Sequence, residues 1–352
     1  MTAIQKIPIE NIYYLLCYAW NKLEEKDIVS VDIIDTTNLL DLFAKVLMKG
    51  LDHLIKRGLD RAYITLSDES RCVKGKICFS PTLKRNLLVK ANIHCEHDEL
   101  SHNVLHNQIL KSTIRSLIPI EDIAKELREE LVGSYRKLHG IDCITLSSNV
   151  FSRVQLNRNN AFYDFLLRIC ELIYDNLLIS EDPGKSKFRD FLQDERRMAH
   201  VFEEFVRNFY RVEAKALEVG RETIPWKAQI LTEGGASLLP KMITDVSIER
   251  NESKIVIEVK YYAEALASHF DREKLHSRDM YQLYAYLKNL EAKGGINRKC
   301  TGILLYPTVA KDIHEDFVMD THKVMIRTVN LKQHWKTIHT NLLDILESLQ
   351  PE

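Results

Sequence analysis

The apolar positions of the chain alternate between helical and strand spacing. Residues 11–22 (NIYYLLCYAWNK) are dense enough in apolar side chains for a buried helix. Residues 38–54 carry Leu39, Leu40, Leu42, Phe43, Val46 and Leu47 at the spacing of an amphipathic helix. Residues 62–80 read as strands, with a turn or bulge at Gly75 between two short apolar runs. A further helix is predicted over 103–117, behind the polar stretch His94-Cys95-Glu96-His97, which reads as a loop. These elements predict a mixed α+β domain over residues 1–155. The polar NRNN of 157–160 marks a boundary, and a second domain, 156–352, opens with a helical lead-in at 161–178 and a loop at 181–187 (EDPGKSK).

From Met198 the order of elements becomes specific. A helix over 198–217 carries Phe202, Phe205, Val206 and Phe209 on one face. Strands follow near 228–231, 242–248 and 254–262, then a helix over 277–290 and a strand at 302–306 that Pro307 is expected to stop. Helix, three strands, helix, strand is the core order of a PD-(D/E)xK nuclease domain. The expected architecture is therefore an α+β N-terminal domain followed by an α/β PD-(D/E)xK nuclease domain, a mixed sheet flanked by helices.

The candidate chemistry sits on the second and third of those strands. In IVIEVKYY (255–262) a period of two puts Val256, Glu258 and Lys260 on one face and Ile255, Ile257 and Val259 on the opposite, buried face. Asp245 lies on the preceding hairpin strand and can reach the same side. Two carboxylates at close range repel unless a cation sits between them. Oxygen ligands with room for water and phosphate suit Mg²⁺, with Mn²⁺ as an alternative. Such an ion polarises a scissile phosphate and lowers the pKa of a bound water, while Lys260 orients that water or stabilises developing negative charge. Isolated D…ExK matches also occur on solvated edge hairpins. Here the two charges interrupt an apolar strand, where they are costly without a purpose.

Two further elements point to the same site. Gln282 and Tyr286 are i and i+4 on the 277–290 helix and share a face, with Asp279 three residues earlier. The pattern is similar to the QxxxY element of RecB-type nucleases, although half-buried tyrosines of an ordinary amphipathic helix give the same spacing. Nucleases of this fold often carry an acid on the first core helix. Glu203 borders the apolar stripe there and is the better candidate metal ligand, although a solvated glutamate gives the same position, whereas Glu204 points nearly opposite. Basic residues Lys254, Lys260, Arg272, Lys274, Arg278, Lys288, Arg298 and Lys299 cluster around these positions in sequence and could neutralise DNA phosphates, a solvated surface accounting for most of them.

Composition narrows the field. With 352 residues, 49 Lys plus Arg and 50 Asp plus Glu, the net charge is −1, so nucleic acid is not held by bulk charge alone. Seven scattered cysteines without a CxxC pair read as reduced thiols, not a disulfide framework or an iron–sulfur site. The early charges of MTAIQKIPIENIYY do not fit a signal peptide, and no apolar run reaches the roughly 18 residues of a membrane span. A cytoplasmic location without membrane contact is expected. His94-Cys95-Glu96-His97 matches no zinc spacing. Pro183-Gly184-Lys185-Ser186 ends like a phosphate-binding loop, but Ile179 stands where GxxxxGK[ST] needs glycine, so the chain is not expected to bind nucleotide through a P-loop of its own.

Several longer segments resemble the McrC family, the nuclease subunits of McrBC modification-dependent (type IV) restriction systems. They are IPIENIYYLLCYAW (7–20), VKGKICF (73–79), HNQILKST (106–113), LLPKMITDVSI (238–248), IVIEVKYY (255–262) and HSRDMYQLYAYL (276–287), in the family's order. The resemblance implies that Asp245, Glu258 and Lys260 form the catalytic set, with Thr244 in place of the namesake proline and Glu258 as the middle acid. It implies a Mg²⁺-dependent endonuclease that cleaves double-stranded DNA. It also implies a partner, a McrB-like AAA+ GTPase hexamer, into whose pore the N-terminal domain docks to stimulate GTP hydrolysis. A non-catalytic adaptor that activates the partner NTPase and a free-standing RecB-like exonuclease are the competing readings.

Overall fold

The structure, a computed structural model, describes residues 7–22, 38–157, 160–179, 186–188, 194–250, 253–262, 276–309 and 312–349. The chain divides into two compact units, one formed by 38–189 and the other by 1–37 together with 190–352. This differs from the expected boundary at 155. The reason lies in the first helix, α1 (Ile9–Ala19), which is apolar on most of its circumference and is covered by elements from the far end of the chain. Its Tyr18 ring meets Phe205 and Phe209, and its Asn11 amide donates to the carbonyls of Leu331 (2.8 Å) and Gln333 (2.7 Å).

The 38–189 unit contains helices α2 (Leu39–Arg57), α3 (Leu105–Leu117), α4 (Lys125–Lys137) and α5 (Ala161–Asn176). Asn38 caps α2 by accepting from Asp41 N at 2.7 Å, and the expected stripe from Leu39 to Leu54 is buried. A small antiparallel sheet of order β1-β3-β2 completes the unit: β1 (Ala62–Ser70), β2 (Lys76–Ile77) and β3 (Ile93–Ser101). His94-Cys95-Glu96-His97, expected as a loop, lies within β3. The pairing of Ile93 to Ser101 along all of β1 supplies backbone partners that its polar side chains did not advertise. Gly75 turns the chain into β2 at φ +63°, and a Cβ there would stand 2.4 Å from the Glu96 carbonyl oxygen. Most of the predicted 181–187 loop, with the P-loop-like Pro183-Gly184-Lys185, lies outside the described residues, while 186–188 pairs with 177–179.

The other unit holds the proposed chemistry. Helix α6 (Glu195–Glu213) is followed by β4 (Glu218–Gly220), β5 (Thr223–Ile224), β6 (Met242–Ile243), β7 (Val246–Arg250) and β8 (Ser253–Val259). Helix α7 (Ser277–Glu291), β9 (Thr301–Thr308), β10 (His314–Met319), β11 (His322–Asn330) and α8 (Trp335–Glu347) complete it. One sheet runs β10-β11-β9-β8-β7-β4, with β8/β9 and β9/β11 parallel and the other pairs antiparallel. It is a mixed sheet flanked by helices. Among the described residues no helix is long and apolar enough to cross a membrane, and none of the seven cysteines is in a disulfide.

Three strand expectations change. Residues 228–231 form no strand; Ile230 and Leu231 sit exposed in the connection between β5 and β6, where no neighbouring strand offers a ladder. The expected 242–248 strand breaks at Thr244-Asp245. Pro307 does not stop β9, which continues to Thr308. Leu305 O accepts from Lys260 N on the β8 side and Thr308 O from Leu331 N on the other. The missing N–H of Pro307 therefore faces the side where pairing with β8 has already ended at Val259–Leu305.

Candidate active site

Strand β8 is central, and every residue from Lys254 to Val259 is buried, so both faces are covered rather than one. Val256 lies in the core shared with Leu283, Leu287 and Leu304. The face of Val256 is thus the face under α7, and by alternation Glu258 and Lys260 lie on it. Gly302 of β9 makes the close approach possible, since a Cβ there would stand 2.8 Å from Leu287 Cδ1. Under α7, Lys260 Nζ donates to Glu258 Oε1 (2.7 Å) and to Gln282 Oε1 (2.9 Å). Gln282 Nε2 donates to the Tyr286 hydroxyl (2.9 Å), which in turn donates to Ile243 O (3.1 Å). The one-turn spacing of Gln282 and Tyr286 thereby ties the lysine to the segment that leads into Asp245.

Asp245 arrives by a route that spacing did not reveal. It sits in the two-residue break between β6 and β7, beyond the last β7/β8 pair, Val246–Ile257. Its Oδ2 accepts from Val259 N at 2.9 Å, so the carboxylate takes over a backbone donor where the ladder has stopped. The preceding Thr244 is fully buried and exchanges two bonds with Glu222: its N donates to Glu222 O (3.0 Å) and its Oγ1 accepts from Glu222 N (2.9 Å). On α6, Glu203 Oε1 is paired with Arg207 (3.1 Å) and with Arg221, and Glu204 is paired with Arg207.

The electrostatics bind these acids into one group. Burial, then the charge of Glu203, pushes Asp245 up to about 6, against the Val259 N–H and Lys260. Burial, then the charge of Asp245, pushes Glu258 up to about 8, with Lys260 opposing. Glu203 also raises Glu258, so it is the α6 acid that the other two sense. Burial raises the Tyr286 phenol, and Glu258 and Asp245 add to the effect. Glu258 is 1% exposed and its Oε2 has no hydrogen-bond partner. Among the described residues no three His, Cys, Asp or Glu side chains already form a metal cage.

Beside Lys260 opens a cleft of about 430 Å³, lined by Arg196, Lys260, Tyr262, Arg278 and Gln282 among others. Asp279, expected on the face of Gln282, lines the same cleft and accepts from the hydroxyls of Tyr262 (2.9 Å) and Tyr306 (3.0 Å). Lys254 is no DNA contact: it is buried between Glu222 (2.6 Å) and Glu249 (2.8 Å). Lys288 is paired with Glu291 and Asp320. Arg298 and Lys299 are exposed, and Arg272 and Lys274 lie outside the described residues. Arg207 and Arg221 were missed; the i+4 spacing of Arg207 from Glu203 is the one sequence signal that pointed to the former.

Residues 10–307 match the family described as McrBC 5-methylcytosine restriction system component. The chain belongs to this family. The matched span contains Glu203, Asp245, Glu258, Lys260, Gln282 and Tyr286. The McrBC-family chain is 33% identical over 341 residues to the "Type IV methyl-directed restriction enzyme EcoKMcrBC" of Escherichia coli (strain K12), covering 97% of each. The McrC resemblance of the sequence motifs is thereby borne out. Among solved structures it is similar to a chain of the half-complex from the tetradecameric assembly of Thermococcus gammatolerans McrB AAA+ hexamers with bound McrC. The TM-score is 0.61 at 16% identity, over 97% of this chain and 76% of the other, a likeness of fold.

Proposed function

We propose that this McrC-like chain is the DNA-cleaving subunit of a McrBC-type restriction complex, a PD-(D/E)xK endonuclease that hydrolyses phosphodiester bonds with Mg²⁺ or Mn²⁺. The observation that carries this is the buried, unpartnered Oε2 of Glu258 beside a second carboxylate, Asp245, and an ammonium, Lys260, that itself lines a cleft. Two carboxylates with water and phosphate oxygens completing the shell suit a hard, hexacoordinate cation, so Asp245 and Glu258 fit as its holders. When bound, the ion supplies Lewis acidity at the phosphate and lowers the pKa of water.

The chain's own groups do the rest. Lys260 has three N–H donors and uses two on Glu258 and Gln282, which leaves the third for a substrate or water oxygen. Gln282, held by Tyr286, aims that ammonium. Glu203 adds a third negative charge at one remove, since Arg207 and Arg221 hold its Oε1. Arg196 and Arg278 in the cleft wall offer positive charge to the DNA backbone.

The partner we propose is a McrB-like AAA+ GTPase hexamer, by analogy with the Thermococcus gammatolerans assembly of McrB AAA+ hexamers with bound McrC. The 38–189 unit supports this by exposing Phe79, Leu83, Leu88 and Val89 in one short stretch, apolar surface that water disfavours. The test is cleavage of double-stranded DNA by the chain reconstituted with such a GTPase. Asp245→Asn and Lys260→Ala are each expected to lower the rate by about 100-fold or more while GTPase stimulation survives. Cleavage persisting in both variants removes the site. An unaltered protein that stimulates GTP hydrolysis but cuts nothing with Mg²⁺ or Mn²⁺ is the adaptor, and partner-free processive digestion of DNA ends marks an exonuclease.

A further inference from the structure

Arg207 is an arginine in a place where arginines need a reason. It lies on α6 with 5% of its surface exposed, too deep to meet DNA. Its guanidinium touches three acceptors. Nη1 donates to Glu203 Oε1 (3.1 Å) and to the backbone carbonyl of Asp245 (3.1 Å), and Nη2 pairs with Glu204. A rigid planar fork presents its donors in fixed relative directions, whereas an ammonium is a point charge on a flexible stem.

The carbonyl is the telling partner. Thr244-Asp245 is a break between two strands, so no ladder sets the direction in which Asp245 leaves the backbone. Thr244 is pinned by Glu222 on one side. On the other, the peptide unit after Asp245 is held through its carbonyl by Arg207. With the carboxylate Oδ2 on Val259 N, these contacts leave Asp245 one orientation. The same guanidinium holds Glu203 toward the acids and offsets part of its charge.

We infer that Arg207 is a positioning residue: it touches neither ion nor DNA, and it fixes the Asp245 peptide and Glu203 so that the Asp245 and Glu258 carboxylates accept a divalent cation. This rests on the metal-dependent nuclease reading above. Partners that orient a metal ligand are worth about 10–100-fold in metal affinity.

The experiment is a Mn²⁺ titration of the full chain, followed by the electron paramagnetic resonance signal of free Mn²⁺, with circular dichroism as the check on folding. The unaltered chain is expected to bind Mn²⁺ and Glu258→Gln to lose most of that binding. Arg207→Met is expected to bind about 10–100-fold more weakly while folded. Arg207→Lys, which restores the charge but not the fork, should fall between the two. Raising Mg²⁺ should restore DNA cleavage by Arg207→Lys in the reconstituted complex, which a damaged fold would not allow. If Arg207→Met does not fold, Arg207→Lys decides. Mn²⁺ affinity equal to that of the unaltered chain in a folded Arg207 variant overturns the inference and leaves the site reading standing. Absence of Mn²⁺ binding by the unaltered chain overturns both.

Discussion

Glu258 is a buried carboxylate beside a second carboxylate. Its folded-state pKa, about 8, lies above the ordinary value of 4.5, so the folded metal-free protein holds a proton that the unfolded chain releases. The stability linked to that proton is fully present below about pH 4.5 and is lost as pH rises through about 8. Glu258→Gln cannot ionise. In chelator, its Tm should match that of the unaltered chain near pH 4 and exceed it by several degrees near pH 9. Equal differences at both pH values would remove the raised pKa. At this scale the sequence was informative about Glu258 and Lys260, because a period of two puts them on one side whatever surrounds the strand. On Arg207 it offered only the one-turn spacing from Glu203, because the most telling partner of that arginine is a backbone carbonyl 38 residues away.

At the scale of elements, the site depends on how closely α7 lies on β8 and β9. Gly302→Val would press a branched side chain into Leu287 and Leu283, which stand 2.8 and 3.1 Å from the position of a Cβ. Overpacking of this kind costs about 1–3 kcal/mol. The urea midpoint should fall accordingly, and cleavage should fall further than stability alone accounts for, because Gln282 rides on the displaced helix. An unchanged midpoint would show that α7 is free to shift. The helices were legible within a few residues, since their stripes are long and periodic. Strands were less so. Apolar 228–231 lacks a neighbour, polar 93–101 has one, and Pro307 is tolerated because its missing donor faces the side where β8 pairing has ended.

At the scale of the molecule, the N-terminal helix belongs with the unit formed by 190–352. Tyr18 is buried among Phe205 and Phe209, and its hydroxyl donates to Glu213 Oε1 at 2.7 Å. Tyr18→Ala should destabilise that unit by about 3–5 kcal/mol, as loss of a large buried ring does. Hydrogen exchange would locate the loss in 194–349 rather than in 38–157; the reverse would contradict the division of the chain. The exposed apolar stretch of the 38–189 unit makes an independent prediction. Phe79→Asp with Leu88→Asp should reduce stimulation of the partner GTPase at least about ten-fold, as loss of interface anchors does, and leave Mn²⁺ binding unchanged. Stimulation at the unaltered level would place the docking surface elsewhere.

What the sequence determined by itself is whatever repeats over a few residues. That covers the shared face of Glu258 and Lys260, the one-turn pairing of Gln282 with Tyr286, the helix stripes, and the ordered motifs that mark the McrBC family. These follow from the 2.0 and 3.6 periods of the backbone, which no distant contact alters. Tertiary structure alone decided the delivery of Asp245 from a strand break, its clamping by Arg207, the burial of β8 on both faces and the half to which α1 belongs. Each of these depends on partners brought from far along the chain, and local spacing carries no record of which distant segment will arrive.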